Sequence, residues 1–380
     1  MRELCRQPPI LRRRKNHLPH DIVLNILGRV PVKSVIRFRC VCKSWDSSIT
    51  TPYFISTHLN NNNNKDRDNG YAIHMGWNPS APSSDRPFCT VALDRKFHRI
   101  SEFVIPFAFP FKCAGIVGSR NGLLCFDDSD KIYLWNPSIR KFKKLPDSCL
   151  GNFRSAKLGF AYHSENNDYK VVKISSTPLS IHGIEVYTLS LDSWRRVGFN
   201  LSIDVMFCCE LPVPLVTGAL HWMICIKEGN ETELMIMAFD VNSEIFTILA
   251  LPDDYIKAKT FQSSLASFKG KLAFITCACN EQLGFPYLYS IWVMKEYGVV
   301  ESWNKLSVIL IPFERVACCL AFTEYGSLLL CCLNERLESR YVLVDTETLH
   351  EKKDPIQCPS FVSNFVESLI LLDGAYVTSY

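Results

Sequence analysis

The sequence predicts two parts, a short all-α module at the N-terminal end followed by an all-β propeller. Residues 18–54 place apolar side chains at helical spacing, and a polar stretch follows at 59–70. From residue 122 onward, strand-like segments recur about every 50 residues. We therefore divide the chain into a basic tail at 1–15, a helical module at 16–58, a polar linker at 59–70 and a propeller domain at 71–380.

The helical module begins at Leu18 and Pro19. Proline suits the first turn of a helix, because its missing N–H would have no partner there. Apolar residues then recur at steps of one, three and four, as on one face of a helix, until Gly28 and Pro31 end the pattern. The sequence therefore predicts a first helix that starts at Pro19.

Two further apolar stripes and a fourth helix follow. Thr51, which stands before Pro52, is typical of a helix N-cap. A unit of roughly 40 residues is too small to bury this much apolar surface by itself. We expect a surface that receives a partner helix. The two stripes consist of Val32, Val35 and Ile36, and of Val41, Cys42, Trp45 and Ile49.

The strand candidates of the second part repeat at a regular interval. Five of them align at steps of 48, 49, 52 and 56 residues, and four outer-strand candidates at steps of 52, 52 and 57. This interval is close to that of kelch-like blades, and no helical stripe interrupts it, which favours a propeller over a sandwich. The aligned positions are Leu123, Val171, Leu220, Leu272 and Leu328, and Phe142, Trp194, Phe246 and Trp303.

The spacing predicts six blades, with five or seven also compatible. Strand candidates at 71–77, 90–93 and 97–103 begin a further unit, and 365–372 reads as a lone strand near the C-terminal end. Pairing this last strand with the first strands in one blade would close the ring and remove its free edges. We therefore expect closure by 365–372.

Composition and charge argue against several classes of protein. No segment approaches the roughly 20 apolar residues of a membrane span, and 12–15 is a basic run where a secretory signal would be apolar. We expect a cytosolic or nuclear protein, and a nuclear address in the basic run stays open. The first 17 residues carry +5 and the remainder −1, which argues against a nucleic-acid-binding domain.

The reactive residues indicate neither a metal, a cofactor nor catalysis. The 17 cysteines lie mostly in apolar runs without a C-x2-C spacing, so we expect reduced, buried thiols. No G-x-S-x-G, P-loop or G-x-G-x-x-G motif occurs. His221 is expected to be packed and hydrogen-bonded, and Asp192, Asp240 and Asp345 to cap turns.

The amino-acid sequence of the helical module resembles the F-box of plant proteins. The matching segments are Leu18-Pro19, Ile26-Leu27, Val30-Pro31-Val32-Lys33-Ser34, the run from Arg37 to Trp45, Ile49, and Pro52-Tyr53-Phe54. The resemblance implies docking onto a Skp-type adaptor and, through it, a cullin and a RING subunit. The docking or supporting positions that it implies are Leu18, Pro19, Ile22, Ile26, Leu27, Val30, Pro31, Val35 and Trp45.

The second part resembles the F-box-associated domain of the same proteins, a layout shared with the S-locus F-box proteins. The phrases that carry this resemblance include Asn121-Gly122-Leu123, Trp135-Asn136-Pro137-Ser138-Ile139, Asp192-Ser193-Trp194-Arg195, Gly218-Ala219-Leu220-His221-Trp222 and Val366-Glu367-Ser368-Leu369. Together the resemblances imply a non-catalytic substrate receptor of a ubiquitin ligase, which binds an unidentified protein substrate.

The alternative function is a propeller enzyme or glycan-binding protein with the N-terminal helices as a structural subdomain, because a propeller does not fix function. For a receptor, the substrate would bind aromatic and arginine side chains on loops between blades, the residue types that anchor protein interfaces. The candidates lie in three loops, 152–157, 253–262 and 311–315. They are Phe153, Arg154, Tyr255, Phe261, Phe313 and Arg315.

Overall fold

The computed structural model describes most of the chain. The described residues are 18–65, 71–76, 88–93, 98–107, 115–128, 131–150, 156–177, 180–199, 205–208, 213–228, 231–253, 260–279, 287–311, 315–322, 326–333, 339–348, 350–353, 359–372 and 377–379. Helices occupy the first of these ranges and strands dominate the others. No helix in these ranges is long and apolar enough to cross a membrane.

Four helices form the N-terminal module: α1 (His20–Leu27), α2 (Val32–Phe38), α3 (Lys43–Ile49) and α4 (Pro52–Lys65). Pro19 is the N-cap of α1, and its carbonyl accepts the first helical hydrogen bonds, from Ile22 and Val23. The predicted cap at Thr51 is confirmed, because its hydroxyl accepts a hydrogen bond from the Phe54 N–H at 3.2 Å. Unlike the stripe predicted there, Val41 and Cys42 precede α3 and are exposed, since α3 begins only at Lys43.

The predicted linker at 59–70 is helical over its first seven residues, since α4 continues to Lys65. Asparagine-rich sequence has low intrinsic helix propensity, so tertiary contacts must favour the helix. Leu59 and His58 are buried. The Asn61 side chain donates to the Gly28 carbonyl at 2.9 Å, and Asn62 donates to the Glu367 carbonyl at 3.2 Å.

The described strands, numbered in chain order, form six antiparallel sheets. The first contains β25 (Pro359–Phe365), β1 (Tyr71–Gly76), β2 (Phe88–Leu93) and β3 (His98–Val104); the second contains β26 (Thr378–Ser379), β7 (Lys141–Lys144), β6 (Ile132–Asn136), β5 (Leu123–Asp127) and β4 (Gly115–Arg120). The third contains β11 (Ser193–Val197), β10 (Ser180–Thr188), β9 (Asp168–Thr177) and β8 (Lys157–His163).

The fourth sheet contains β12 (Val205–Phe207), β14 (Ala219–Glu228), β15 (Glu231–Asp240) and β16 (Phe246–Leu249), with β13 (Leu215–Val216) also paired to β14. The fifth contains β17 (Thr260–Phe268), β18 (Lys271–Cys279), β19 (Tyr287–Met294) and β20 (Trp303–Ile311). The sixth contains β21 (Arg315–Phe322), β22 (Ser327–Leu333), β23 (Ser339–Asp345) and β24 (Glu351–Lys353).

The sheets follow one another around a propeller. Contacts run from β25 to β4, from β4 to β8, from β8 to β14, from β14 to β17, from β17 to β21, and from β21 back to β25. The five aligned sequence positions lie in β5, β9, β14, β18 and β22, the corresponding strands of five successive sheets. The repeat read from the sequence is therefore the repeat of the fold.

A strand from the C-terminal region does pair with the first strand, but it is not the predicted one. β25 pairs with β1 in antiparallel register, Phe365 opposite Tyr71 and Phe361 opposite Met75. Only Phe365 of the predicted strand at 365–372 belongs to it. Residues 366–372 leave the sheet instead, and their apolar side chains pack between the helices and the second sheet.

Apolar side chains from neighbouring sheets pack face to face and form the core. Trp135 of the second sheet packs with Ile73 of the first, and Trp222 of the fourth packs with Val186 of the third. The second strand of each sheet is largely buried, as in the four buried residues at the start of β5. Near-continuous apolar runs in these strands follow from burial on both faces.

Polar side chains also connect the second sheet to the third, the third to the fourth, the fourth to the fifth and the fifth to the sixth. In each pair, the residue from the later sheet lies in the turn before the outermost strand of that sheet. Lys143 and Lys170 are almost fully buried, so their charges need the carboxylate partners that these turns supply. The four links are Lys143–Asp192 at 2.9 Å, Lys170–Glu244 at 2.9 Å, His221–Tyr297 at 2.8 Å and Lys269–Glu347 at 3.0 Å.

Candidate functional site: the apolar face of the helices and its anchor on the propeller

The first helix exposes a row of apolar side chains. Leu18, Ile22 and Ile26 are 60%, 48% and 49% exposed. Ile22 and Ile26 stand four residues apart and share one face of α1, and Leu18 directly precedes the N-cap Pro19. Exposed large apolar side chains that lie close in sequence at the start of one helix make this face a candidate docking surface.

The opposite face of the module packs into a hydrophobic core that Leu369 and Leu372 help to complete. Leu27, Val32, Val35, Ile49 and Phe54 are buried together. The predicted adaptor positions therefore fall into three groups. Exposed are Leu18, Pro19, Ile22, Ile26 and Pro31, half-buried are Val30 and Trp45, and buried are Leu27 and Val35. The first group can touch a partner, and the other two shape the surface from beneath.

A second set of exposed apolar side chains was missed by the sequence reasoning. Phe38, Val41 and Tyr53 are 37%, 58% and 80% exposed. The Phe38 ring meets Trp45 edge to face, with 6.0 Å between centroids. Val41 belongs to the predicted stripe of Val41, Cys42, Trp45 and Ile49, but α3 begins only at Lys43, so Val41 precedes the helix that carries Trp45 and Ile49.

Two polar contacts hold α3 in place on the exposed side. Arg39 Nε lies 2.6 Å from an oxygen of Asp46, and both groups are partly exposed. His20 Nε2 lies 3.0 Å from the Ser48 hydroxyl, which links the first turn of α1 to α3. Both contacts position the helices rather than supply chemistry.

Residues 366–372 anchor the helices on the propeller. Leu369 and Leu372 enter the helical core beside Val35 and Ile49. Ile370 and Leu371 pack instead into the core between the second and third sheets. This segment, named here the seam segment, is thus shared by two hydrophobic cores.

Asn136 fastens the seam segment to the second sheet. Its side-chain amide is completely buried. Nδ2 donates to the carbonyl of Ser368 at 3.0 Å, the hydroxyl of Ser368 at 3.1 Å and the carbonyl of Ile370 at 2.9 Å. Oδ1 accepts from the Ser138 N–H at 3.0 Å and caps the 3-10 turn Pro137–Ile139. One asparagine therefore satisfies backbone groups on both sides of the seam.

Gly122 lets the seam segment approach the backbone of the second sheet. Its φ is +78°, and a Cβ built there would lie 2.1 Å from the Val366 carbonyl oxygen. No side chain fits this position. Three of the phrases quoted above, at 121–123, 135–139 and 366–369, therefore meet at one place, which the sequence alone did not reveal.

The substrate-binding candidates on the propeller are only partly placed. Phe153, Arg154, Tyr255 and Phe313 lie outside the described residues. Phe261 and Arg315 were expected in loops but belong to β17 and β21. The strand β17 begins at Thr260, so it takes in the last three residues of the predicted loop 253–262, and Phe261 falls at a register shift between Thr260 and Gln262. Whether the six candidates share one surface therefore stays a prediction, since only two of them belong to the described residues.

The remaining reactive groups have structural partners. His221 is buried, and Nε2 lies 2.8 Å from the Tyr297 hydroxyl, as the sequence predicted for a packed histidine. Burial lowers the pKa of His221 to about 4. Asp240 and Asp345 cap turns as predicted, accepting from Ser243 N at 2.7 Å and Thr348 N at 2.7 Å.

Asp192 does not cap a turn through its side chain as predicted. It pairs with Lys143 and accepts a hydrogen bond from the Tyr187 hydroxyl at 2.9 Å, because the buried ammonium competes for the carboxylate. Within the described ranges, no group of three or more His, Cys, Asp or Glu residues is arranged to hold a metal ion.

The family model described as the F-box associated beta propeller domain matches residues 83–357. The chain belongs to the F-box proteins that carry this propeller domain. The F-box domain model matches residues 16–57 of this F-box protein, the module that contains the exposed apolar row. Both resemblances read from the sequence are therefore confirmed.

Relatives of this F-box protein come from Arabidopsis thaliana. One F-box protein is 29% identical over 316 residues, which is 76% of this chain and 71% of the relative. An F-box/kelch-repeat protein is 27% identical over 312 residues, 77% of this chain and 79% of the relative. Among solved structures, oligopeptidase B from Leishmania major covers 82% of this chain and 55% of its own, at 12% identity and a TM-score of 0.35.

Proposed function

We propose that this F-box protein is the substrate-recognition subunit of a Skp-cullin-F-box ubiquitin ligase. The F-box helices would bind a Skp-type adaptor, which connects to a cullin and a RING subunit, while the propeller would bind a protein substrate. One observation carries the first half of the proposal. Leu18, Ile22 and Ile26 stay exposed although the opposite face of the module already packs into a hydrophobic core.

The physical gain from covering this row supports the assignment. Burying apolar surface contributes about 25 cal/mol for each Å² removed from water. An amphipathic partner helix would cover the row in the manner of helix-in-groove recognition. The seam segment supports the second half of the proposal, since it fixes the helices to the second sheet of the propeller. A fixed geometry would hold a bound substrate at a set distance from the adaptor.

Co-purification with a Skp-type adaptor tests the docking surface. The variant combines Leu18→Asp with Ile26→Asp, which places two charges on the exposed row without touching the core. The matched control combines Leu191→Asp with Ile245→Asp, two propeller residues that are 68% and 56% exposed. We expect the first variant to lose adaptor binding at least tenfold and the control to bind like the natural chain.

The two variants also separate docking from folding. Circular dichroism and the thermal midpoint should stay close to those of the natural chain in both variants, because all four side chains are about half exposed or more. Undiminished adaptor binding by the Leu18→Asp, Ile26→Asp chain would refute the docking assignment. Loss of binding in both variants would point to a different surface and equally contradict it.

The substrate side of the proposal rests on the propeller domain, for which we propose a non-catalytic, substrate-binding role. We propose that the six sheets are six blades of one closed ring and that its loops bind the substrate. Phe153, Arg154, Tyr255, Phe261, Phe313 and Arg315 remain the proposed contacts. Affinity capture from plant cytosolic and nuclear extracts, with degradation blocked, should yield proteins whose binding weakens when these residues are changed to alanine. Capture that is indifferent to all six changes would refute these contacts.

A further inference from the structure

Two thiols of the fourth sheet lie against each other. The Sγ atoms of Cys208 and Cys225 are 2.8 Å apart. Cys208 is exposed to solvent and Cys225 is half-buried, and neither forms a disulfide. The F-box and its adaptor surface play no part in this contact, since both residues belong to the propeller.

The backbone of β12 and β14 fixes this approach. Met206 stands opposite Cys225, and Phe207 stands opposite Ile224. The Cys208 N–H donates to the Met223 carbonyl at 3.0 Å, which continues the same register by one residue. Cys208 is therefore a diagonal neighbour of Cys225 on the same face of the sheet, and in this structure the two sulfurs meet at 2.8 Å.

We propose that Cys208 and Cys225 form a redox modification site that closes to a reversible disulfide in the presence of a peroxide. The Cys208 thiolate attacks one peroxide oxygen, which gives a sulfenic acid and releases water from hydrogen peroxide. The Cys225 sulfur then attacks the Cys208 sulfur and displaces the hydroxyl group as a second water. Two thiols and one hydrogen peroxide thus become one disulfide and two waters, and a dithiol reductant reverses the step.

Exposure and proximity together distinguish this pair from the other cysteines whose side chains the structure describes. A disulfide needs a sulfur separation of about 2.05 Å, so the sulfurs must move less than 1 Å closer from their 2.8 Å separation. Cys89 and Cys125 are fully buried, and burial raises the pKa of each thiol, which suppresses the reactive thiolate. Cys40 and Cys42 are exposed on the F-box module and serve as internal controls.

The bond would connect a short strand to a long one. β12 has three residues and β14 has ten, so β12 relies on few ladder hydrogen bonds. A covalent link at Cys208 would hold the end of β12 on β14. We expect slower hydrogen exchange in β12 after oxidation, with no change in the α1 helix.

Peptide mapping of the full chain tests the proposal. The reduced protein is treated with hydrogen peroxide, digested without reductant and analysed by fragmentation that separates Cys208 from Cys209. We expect a Cys208–Cys225 cross-linked peptide, a loss of two reactive thiols and full recovery after dithiothreitol. Cys208→Ser and Cys225→Ser should each abolish the cross-link, whereas Cys40→Ser with Cys42→Ser should leave it intact.

Two results would overturn the assignment. One is loss of the cross-link in Cys209→Ser but not in Cys208→Ser, which would make Cys209 the partner. The other is oxidation of Cys40 or Cys42 at the same rate as Cys208 with no cross-linked peptide. Mapping of the natural chain requires no variant, so the proposal stays testable even if a serine variant fails to fold.

Discussion

At the scale of single residues, Gly122 is constrained by one carbonyl oxygen. We expect Gly122→Ala to lower the free energy of unfolding for two reasons. The backbone is left-handed at φ +78°, and the added Cβ would lie 2.1 Å from the Val366 oxygen. Gly218 has φ +79° and nothing within 4 Å of its Cβ. Gly218→Ala therefore carries the backbone cost of about 1–2 kcal/mol alone.

We expect Gly122→Ala to reduce the free energy of unfolding by clearly more than Gly218→Ala, as measured by chemical denaturation. The difference reports the clash with the seam segment, because the backbone cost is common to both variants. Equal losses in the two variants would show that Val366 can move aside without cost. They would also contradict the fixed seam described here.

His221 sets a second prediction at the same scale. Its pKa falls from 6.5 to about 4 on folding because it is buried. Between pH 6.5 and about 4, His221 is protonated in the unfolded chain but neutral in the folded chain. The contribution of His221 to the free energy of unfolding is therefore complete above pH 6.5 and is lost as the pH falls towards 4. His74 shifts in the same direction, also to about 4.

Denaturation across pH 7 to 4 measures this contribution. We expect His221→Gln to give a shallower fall of unfolding free energy than the natural chain over that range. The exposed residue His350 provides the control, and His350→Gln should keep the natural slope. A natural slope in His221→Gln would contradict a neutral, buried His221.

At the scale of elements, the seam segment makes the helices depend on residues near the other end of the chain. Leu369 is fully buried in the helical core, and Leu372 is almost so. Leucine-to-alanine changes in a core cost about 2–5 kcal/mol. We expect Leu369→Ala to lower the unfolding free energy within that range and to speed hydrogen exchange in α2.

Leu191→Ala is the matched control for this element, since Leu191 is 68% exposed. It should leave both stability and the exchange of α2 unchanged. Fast exchange confined to the second and third sheets in Leu369→Ala would show that Leu369 supports the propeller rather than the helices.

The elements also show what a sequence can and cannot predict. Leu123 to Phe126 are consecutive apolar residues that are all buried in β5. Such a run predicts a buried strand from the sequence alone, so the strand positions could be found. The seam segment could not, because Leu369 and Leu372 face one core while Ile370 and Leu371 face another, a pattern that resembles a buried strand. The helical asparagines of α4 were hidden for a similar reason, since their hydrogen-bond partners are distant in sequence.

At the scale of the whole molecule, residues 359–372 have two structural roles, one after the other along the chain. β25 pairs with β1 and completes the first sheet, and the seam segment then joins the helices to the second sheet. The ring and the attachment of the F-box therefore share one stretch of chain. Loss of that stretch should open the first sheet and release the helices together.

Two truncated chains distinguish the roles of residues 359–372 from any role of the residues that follow them. A chain ending at residue 372 loses β26, whose two residues are exposed and pair only with β7 among the described strands. A chain ending at residue 358 also loses β25 and the seam segment. We expect hydrogen exchange of the shorter chain to rise sharply in β1 and in α2, with the longer chain close to the natural protein. If the shorter chain still protects α2, contacts other than the seam segment hold the helices on the propeller, such as the packing of Ile139 against the helical core.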